Sequence, residues 1–169
     1  VVYSGNMNDM CIPAEMAMAG MVCVQCINFG FPVALLAGIL SGVVIGSING
    51  FMIGKMRANP IIWTLGMNLL LSGIMRVVWG GKQLYAGSIA KDTEFAQNAA
   101  NTFYSISRTY IGGIISLMAI VMILMFVVSW FIHSQTSYGE KLKIVGTNYD
   151  VAKFSGINCN KVLLITYIL

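Results

Sequence analysis

The chain is 169 residues long, 57% of them hydrophobic and 9% charged, where a soluble domain of this size carries about 25% charged residues to wet its surface. With a mean hydropathy of +0.79, this excludes an ordinary soluble enzyme, a disordered chain and a nucleic-acid-binding domain. The net charge of +4 fits basic residues gathered in the cytoplasmic loops of a membrane protein better than an anionic partner.

In chain order, four apolar segments and the start of a fifth stand out against the roughly 20 residues a helix needs to cross the hydrocarbon core. The first covers about 11–29 and holds a single acid, Glu15; the second, about 33–53, carries no charge. A tight turn with Gly30 and Pro32 separates them. After a short basic loop with Lys55 and Arg57, the third segment covers about 60–79, interrupted only by Arg76. The polar outer loop 80–110 follows, with a short helix expected around 94–103, and then the fourth segment at about 111–133. The polar loop 134–161 carries Lys141, Lys143, Lys153 and Lys161, and the fifth segment, 162–169, breaks off inside an apolar run. Starting at Val1 and stopping there, the sequence is expected to be a piece of a longer membrane protein. The whole is expected to form one all-α, polytopic transmembrane helix bundle.

Placing Lys55, Arg57 and the 134–161 loop in the cytoplasm puts six of the ten Lys and Arg inside, against Arg76, Lys82, Lys91 and Arg108 outside. Asp92 and Glu94 offset the outer group. Cys23 and Cys26 have CxxC spacing but no second pair. With Cys11, Cys159 and a single His they are read as membrane-buried thiols, with no zinc ligand set.

Gly38, Gly42, Gly46, Gly50 and Gly54 recur at every fourth position of the second segment. Residues four apart stack on one face and drift by about 40° per step, so they form a shallow groove winding around the helix. Apolar burial does not drive helices together in lipid; close backbone approach does, and such a groove permits it. The expectation is a helix central to a tight bundle.

Ionisable and amide groups inside a membrane are costly and mark functional positions. Asp9 and Glu15 flank the start of the first segment. They either bond a passing solute, marking its entrance, or sit solvated at the interface, and Glu15 has bonding between helices as a further role. Asn49 lies in the second segment, and Thr64, Asn68 and Ser72 form a polar stripe four residues apart on the third. The stripe must face protein or a watery cavity, as solute contacts or as glue between helices. Trp63 beside it either stacks on a sugar ring or belongs to the interfacial belt. No catalytic constellation exists, since the sequence has no phosphate-binding GxxxxGK[ST] and no Ser/His/Asp set. No cofactor is expected.

Several stretches carry a family resemblance in consistent order. They are Met16-Ala17-Met18-Ala19-Gly20, Leu35-Leu36-Ala37-Gly38 through Ile48-Asn49-Gly50, and Asn59-Pro60-Ile61-Ile62-Trp63-Thr64-Leu65-Gly66. Further along come Tyr138-Gly139-Glu140-Lys141-Leu142, Gly146-Thr147-Asn148 and Ala152-Lys153-Phe154-Ser155-Gly156-Ile157-Asn158. Together they resemble the permease subunits of ribose-type bacterial ABC importers, with their MALAG start, glycine-rich LLAG helix, PPFIATLG segment and cytoplasmic G-x-N-x-x-A-A-x-x-S-G-I loop. Where that family has GGIDLSVG, only Asp9 keeps its identity. Cys11 stands at the Ser, Pro13 at the second structural Gly, Glu15 has no counterpart, and Val151 replaces the first Ala of the cytoplasmic loop.

The resemblance implies a multi-pass protein of the bacterial inner membrane that passes a monosaccharide or similar small polar solute. Its partners would be ATP-binding cassette ATPase subunits, a second permease copy or paralogue, and an extracytoplasmic solute-binding protein. The chain itself would not be an enzyme; ATP would be hydrolysed in the ATPase. Asp9, Glu15, Asn49, Trp63, Thr64 and Asn68 would line the solute pathway. Gly146, Asn148, Ala152, Ser155, Gly156 and Ile157 would form the coupling loop, with a short helix around 150–154 docking on the ATPase. Competing readings are a permease for a nucleoside, a branched-chain amino acid or a sugar-like signal, and a membrane assembly protein that transports nothing.

Overall fold

The computed structural model describes residues 8–90, 93–111 and 115–168; Lys91, Asp92 and Leu169 lie outside the described residues. Helix α1 (Ile12–Gln25) opens with Pro13, whose fixed φ suits a first turn and whose missing N–H is not needed there. Glu15 sits in that same turn, at the positive end of the helix dipole. At 14 residues α1 is shorter than a membrane span, and a 3-10 turn, Ile27–Phe29, continues it. Gly30 then reverses the chain at φ 100°, and a Cβ there would lie 2.7 Å from the Phe95 ring.

Helix α2 (Phe31–Gly54) and helix α3 (Pro60–Trp79) form an antiparallel pair joined by the Lys55–Arg57 loop. Asn59 caps α3 by accepting hydrogen bonds from the N–H groups of Ile61 and Ile62, and Gly80 ends it in the left-handed region. The loop expected on the outer side is more structured than its polarity suggests. It holds a short helix α4 (Ala86–Ile89) and a longer α5 (Glu94–Arg108), followed by a two-stranded hairpin pairing β1 (Tyr110–Ile111) with β2 (Ile115–Ser116). Ala86, Ala99 and Ala100 pack with Cys23, Val24, Ile27 and Ala34, so α4 and α5 form a lid of small side chains over the α1–α2 turn.

Helix α6 (Leu117–Gln135) starts at the Ser116 cap, six residues later than the apolar pattern indicates, because the hairpin takes the first part of that run. None of its residues is buried, which costs nothing against lipid tails as apolar as the side chains themselves. The expected cytoplasmic loop is largely helical. It contains α7 (Ser137–Thr147) and α8 (Tyr149–Phe154), and α9 (Cys159–Ile168) follows. Among the described residues α2, α3 and α6 are long and apolar enough to cross a membrane.

Helix α2 is the central element, with α1 against one side and α9 against another. The glycine row divides between these neighbours instead of serving one groove. An ideal Cβ on Gly38 would lie 3.1 Å from Cys23 Cβ of α1. On Gly46 it would collide with the Tyr167 carbonyl oxygen, on Gly50 it would lie 2.8 Å from Leu164 Cα, and on Gly54 3.3 Å from the Asn160 carbonyl oxygen, all on α9. Gly42 faces nothing within 4 Å among the described residues. Slow winding of the row explains the division, since the drift over four turns carries the glycines from the α1 side to the α9 side.

Gly46→Leu is therefore expected to prevent α9 from seating, read as loss of a monodisperse species of the full-length protein in detergent. Gly46→Ala should cost about 1–3 kcal/mol through overpacking. Gly42→Ala should leave the melting temperature unchanged or raise it, because Ala favours the helix and meets no neighbour.

Candidate functional site

Residues 8–11, just ahead of α1, are not helical, and the backbone polar groups of Met10 are satisfied by side chains of α3. The Met10 N–H donates to Thr64 Oγ1 at 3.0 Å, and Asn68 Nδ2 donates to the Met10 carbonyl at 2.7 Å. Asp9 Oδ1 accepts from the Cys11 N–H at 2.7 Å. Irregular backbone inside a membrane bundle survives only where protein supplies such partners. Thr64 and Asn68, one turn apart on α3, supply them here.

The start of α1 then meets α2. Cys11 and Glu15 are four residues apart and so share a face. Cys11 Sγ donates to Glu15 Oε1 at 3.0 Å. Asn49, 0% exposed, completes the junction. Its Nδ2 donates to Glu15 Oε1 at 2.8 Å and to Cys11 Sγ at 3.0 Å, and its Oδ1 accepts from Trp63 Nε1 at 2.9 Å. One carboxamide thus joins α1, α2 and α3, and both its N–H donors and its oxygen are engaged. Around it Cys11, Ala14, Ile45, Met67 and Leu71 form an apolar packing layer.

All six residues expected along a solute pathway therefore lie in one connected patch: Asp9, Glu15, Asn49, Trp63, Thr64 and Asn68. Two further members lie outside that expectation. Cys11 bridges Asp9 to Glu15 and Asn49, and its four-residue spacing from Glu15 was the available signal. Tyr167 of α9 is 8% exposed; its hydroxyl has no hydrogen-bond partner among the described residues, and the charges of Asp9, Cys11 and Glu15 act on it. More than a hundred residues separate it from Asn49, so no local pattern could bring the two together.

The patch lies five residues before the end of α2 at Gly54, about 7.5 Å along the axis. That is the end carrying Lys55 and Arg57, not the end at the Gly30 turn. Under the charge-based orientation, the acids thus sit nearer the inner face than a solute entrance would. Trp63 also lines a cleft of about 500 Å³ with Ala58, Asn59, Ile62, Gly66, Met67 and Leu70. Toward the other end, Ser72 and Arg76 of α3 line a cavity of about 660 Å³ shared with Met16, Met21 and Lys82.

The residues expected in a coupling loop form a second group. Asn148 Oδ1 accepts from the N–H groups of Asp150 and Val151 and so caps α8. Ala152 is fully buried against Leu142, Cys159 and Leu163, with Ile157 partly buried beside them. Gly146 lies in the last turn of α7, Ser155 Oγ donates back to the Val151 carbonyl, and Gly156 adopts φ 77° just past α8. The opposite face of α8 is bare, with Phe154 90% and Val151 54% exposed. The Arg57 guanidinium lies 4.4 Å from the Tyr149 ring centre and joins this group to the α2–α3 loop.

Residues 8–169 match the family model described as branched-chain amino acid transport system / permease component. Among curated proteins, the chain is 29% identical to a ribose import permease protein of Haemophilus influenzae, over 94% of this chain and 47% of the relative. It is 26% identical to a fructose import permease protein of Rhizobium meliloti, over 95% and 44%. It is 27% identical to a D-allose transport system permease protein of Escherichia coli, over 95% and 46%. The chain spans about half the length of the curated relatives it matches. No solved structure matches it.

Asn49→Leu removes three hydrogen bonds at once and leaves the Trp63 N–H and a Glu15 oxygen short of a partner. Each buried group so stranded costs about 1–3 kcal/mol. A lower unfolding temperature of the purified full-length protein is expected, with Trp63→Phe losing less because it removes its own donor as well.

Proposed function

Because the chain belongs to the branched-chain amino acid transport system / permease component family, we propose that it forms much of the membrane-spanning part of an ATP-driven importer for a monosaccharide or similar small polar solute. It is a multi-pass membrane protein and, as a permease component, not a catalytic subunit. The observation that carries the solute reading is the convergence of Asp9, Glu15, Asn49, Trp63, Thr64 and Asn68 on one patch between three helices. Carboxylates, amides and a hydroxyl beside an indole suit a hydroxyl-rich solute. The names of the three relatives, for ribose, fructose and allose, support a sugar. The family description leaves a branched-chain amino acid as the second reading, although such a solute would ask for an apolar pocket instead.

The proposed partners are two ATPase subunits beneath the membrane, a second permease copy or paralogue, and a binding protein that delivers the solute. In this reading the bare face of α8, with Val151 and Phe154, enters a cleft of the ATPase. Motion applied there has a short route to the patch. Ala152 packs on Cys159 and Leu163 of α9. Helix α9 lies on Gly46, Gly50 and Gly54 of α2, and α2 carries Asn49. ATP binding in the partner would shift α8, move α9 along α2 and change the surroundings of the Asn49 junction, giving access first from one side and then from the other.

Cells producing the full-length protein with its partners are expected to take up a labelled monosaccharide. Asn68→Leu should cut uptake by about tenfold or more while the protein still reaches the membrane. Phe154→Asp should abolish co-purification of the ATPase and leave the permease folded. Failure to recover any ATPase subunit with the wild type would sink the importer reading; uptake of leucine but of no sugar would move the proposal to the second solute class.

A further inference from the structure

The ligand-capable atoms of Asp9, Cys11 and Glu15 all lie within 4.8 Å of one another. Their partners in the patch are a backbone N–H, a thiol and an amide, all neutral, so the two acids meet no compensating positive charge in those bonds. The Tyr167 hydroxyl is buried and has no hydrogen-bond partner among the described residues, and the charges of all three residues act on it. Cys11 and Glu15 are also two of the positions at which the chain departs from the ribose-type permease pattern.

We propose that Asp9, Cys11 and Glu15 form a binding site for a borderline-soft divalent cation of the Zn2+ type. Ligand bonds of about 2.0–2.3 Å in a tetrahedral site put ligand atoms roughly 3.3–3.8 Å apart. The present separations of up to 4.8 Å exceed that spacing by about 1 Å, the amount by which the ligands close on the ion. A thiolate among two carboxylates selects Zn2+ or Cd2+ over Mg2+ and Ca2+, which take oxygen ligands. On binding, Cys11 releases its proton to solvent and a sulfur–metal bond forms, while its hydrogen bond to Glu15 is given up. The Asn49 Nδ2 group already donates to Cys11 Sγ and keeps that role toward the thiolate. Three protein ligands leave a fourth position for water, and a bound water gives the Tyr167 hydroxyl the partner it lacks. The cation also neutralises two carboxylates in a region where uncompensated charge is costly. The site stands on the geometry of these residues and not on the transport reading, so the two succeed or fail separately.

The test is titration of the purified full-length protein in detergent with Cd2+ as the probe, followed by sulfur-to-cadmium charge-transfer absorption. One saturating equivalent is expected, displaced by Zn2+ and unaffected by excess Mg2+. The band should vanish in Cys11→Ser and persist when Cys23, Cys26 and Cys159 are together changed to Ser. Glu15→Gln should weaken binding by roughly tenfold or more. No band in the wild type, or a band that survives Cys11→Ser, overturns the site. The cadmium NMR shift of the wild type separates one-sulfur from two-sulfur coordination, and a one-sulfur signal that is lost in Cys159→Ser overturns the site. Two-sulfur coordination would place the ion at Cys23 and Cys26 and overturn the proposal.

Discussion

A polar group held away from water must find its partners within the protein, and at Asn49 that rule organises the bundle. Its side chain accepts from Trp63 and donates to Glu15 and Cys11, so the relative positions of α1, α2 and α3 are set by one carboxamide. The irregular segment before α1 obeys the same rule through Thr64 and Asn68. In a soluble protein, burial of large side chains would do this positioning. Here apolar surface gains nothing by leaving lipid for protein, and directional bonds with close backbone contacts take its place.

The glycine-lined face of α2 answers the second half of that requirement. Where hydrogen bonds fix α1 and α3, absent side chains let α9 approach until its carbonyls nearly touch the α2 backbone. Bonds act toward the α1 and α3 side, Gly38 lies against α1, and Gly46, Gly50 and Gly54 face α9, so the bonded and glycine-lined regions meet at the level of Asn49 and Gly50. The same helix therefore carries the polar patch on one side and a surface of close backbone contact on the other. Helix α8 joins the second through Ala152 and the leading turn of α9.

Much of this was legible in the residues. Long uncharged runs gave away α2, α3 and α6, and the scarcity of polar residues within them singled out Asn49, Thr64 and Asn68. The four-residue glycine period revealed a face made for contact. It could not reveal that the face serves two neighbours, because the axial drift matters only once those neighbours have positions. Helix α6 begins late because Ile115 and Ser116 pair with β1, and hydropathy does not distinguish an apolar strand end from a helix start. Tyr167 joins the patch by long-range packing alone, and Cys11 escapes notice because a thiol in an apolar run is ordinary until its neighbours are known.

The division of the α2 surface also has a consequence in time. Everything that satisfies Asn49 lies no further along the chain than Trp63, so its bonds close as soon as three adjacent helices have left the ribosome. The glycine face must wait for α9, roughly a hundred residues later, which at ordinary synthesis rates is about 5–20 s. During that interval α2 has its polar side bonded while its glycine face still awaits α9. The order of synthesis thus separates the two kinds of contact, the hydrogen bonds becoming available early and the glycine contacts only once α9 exists.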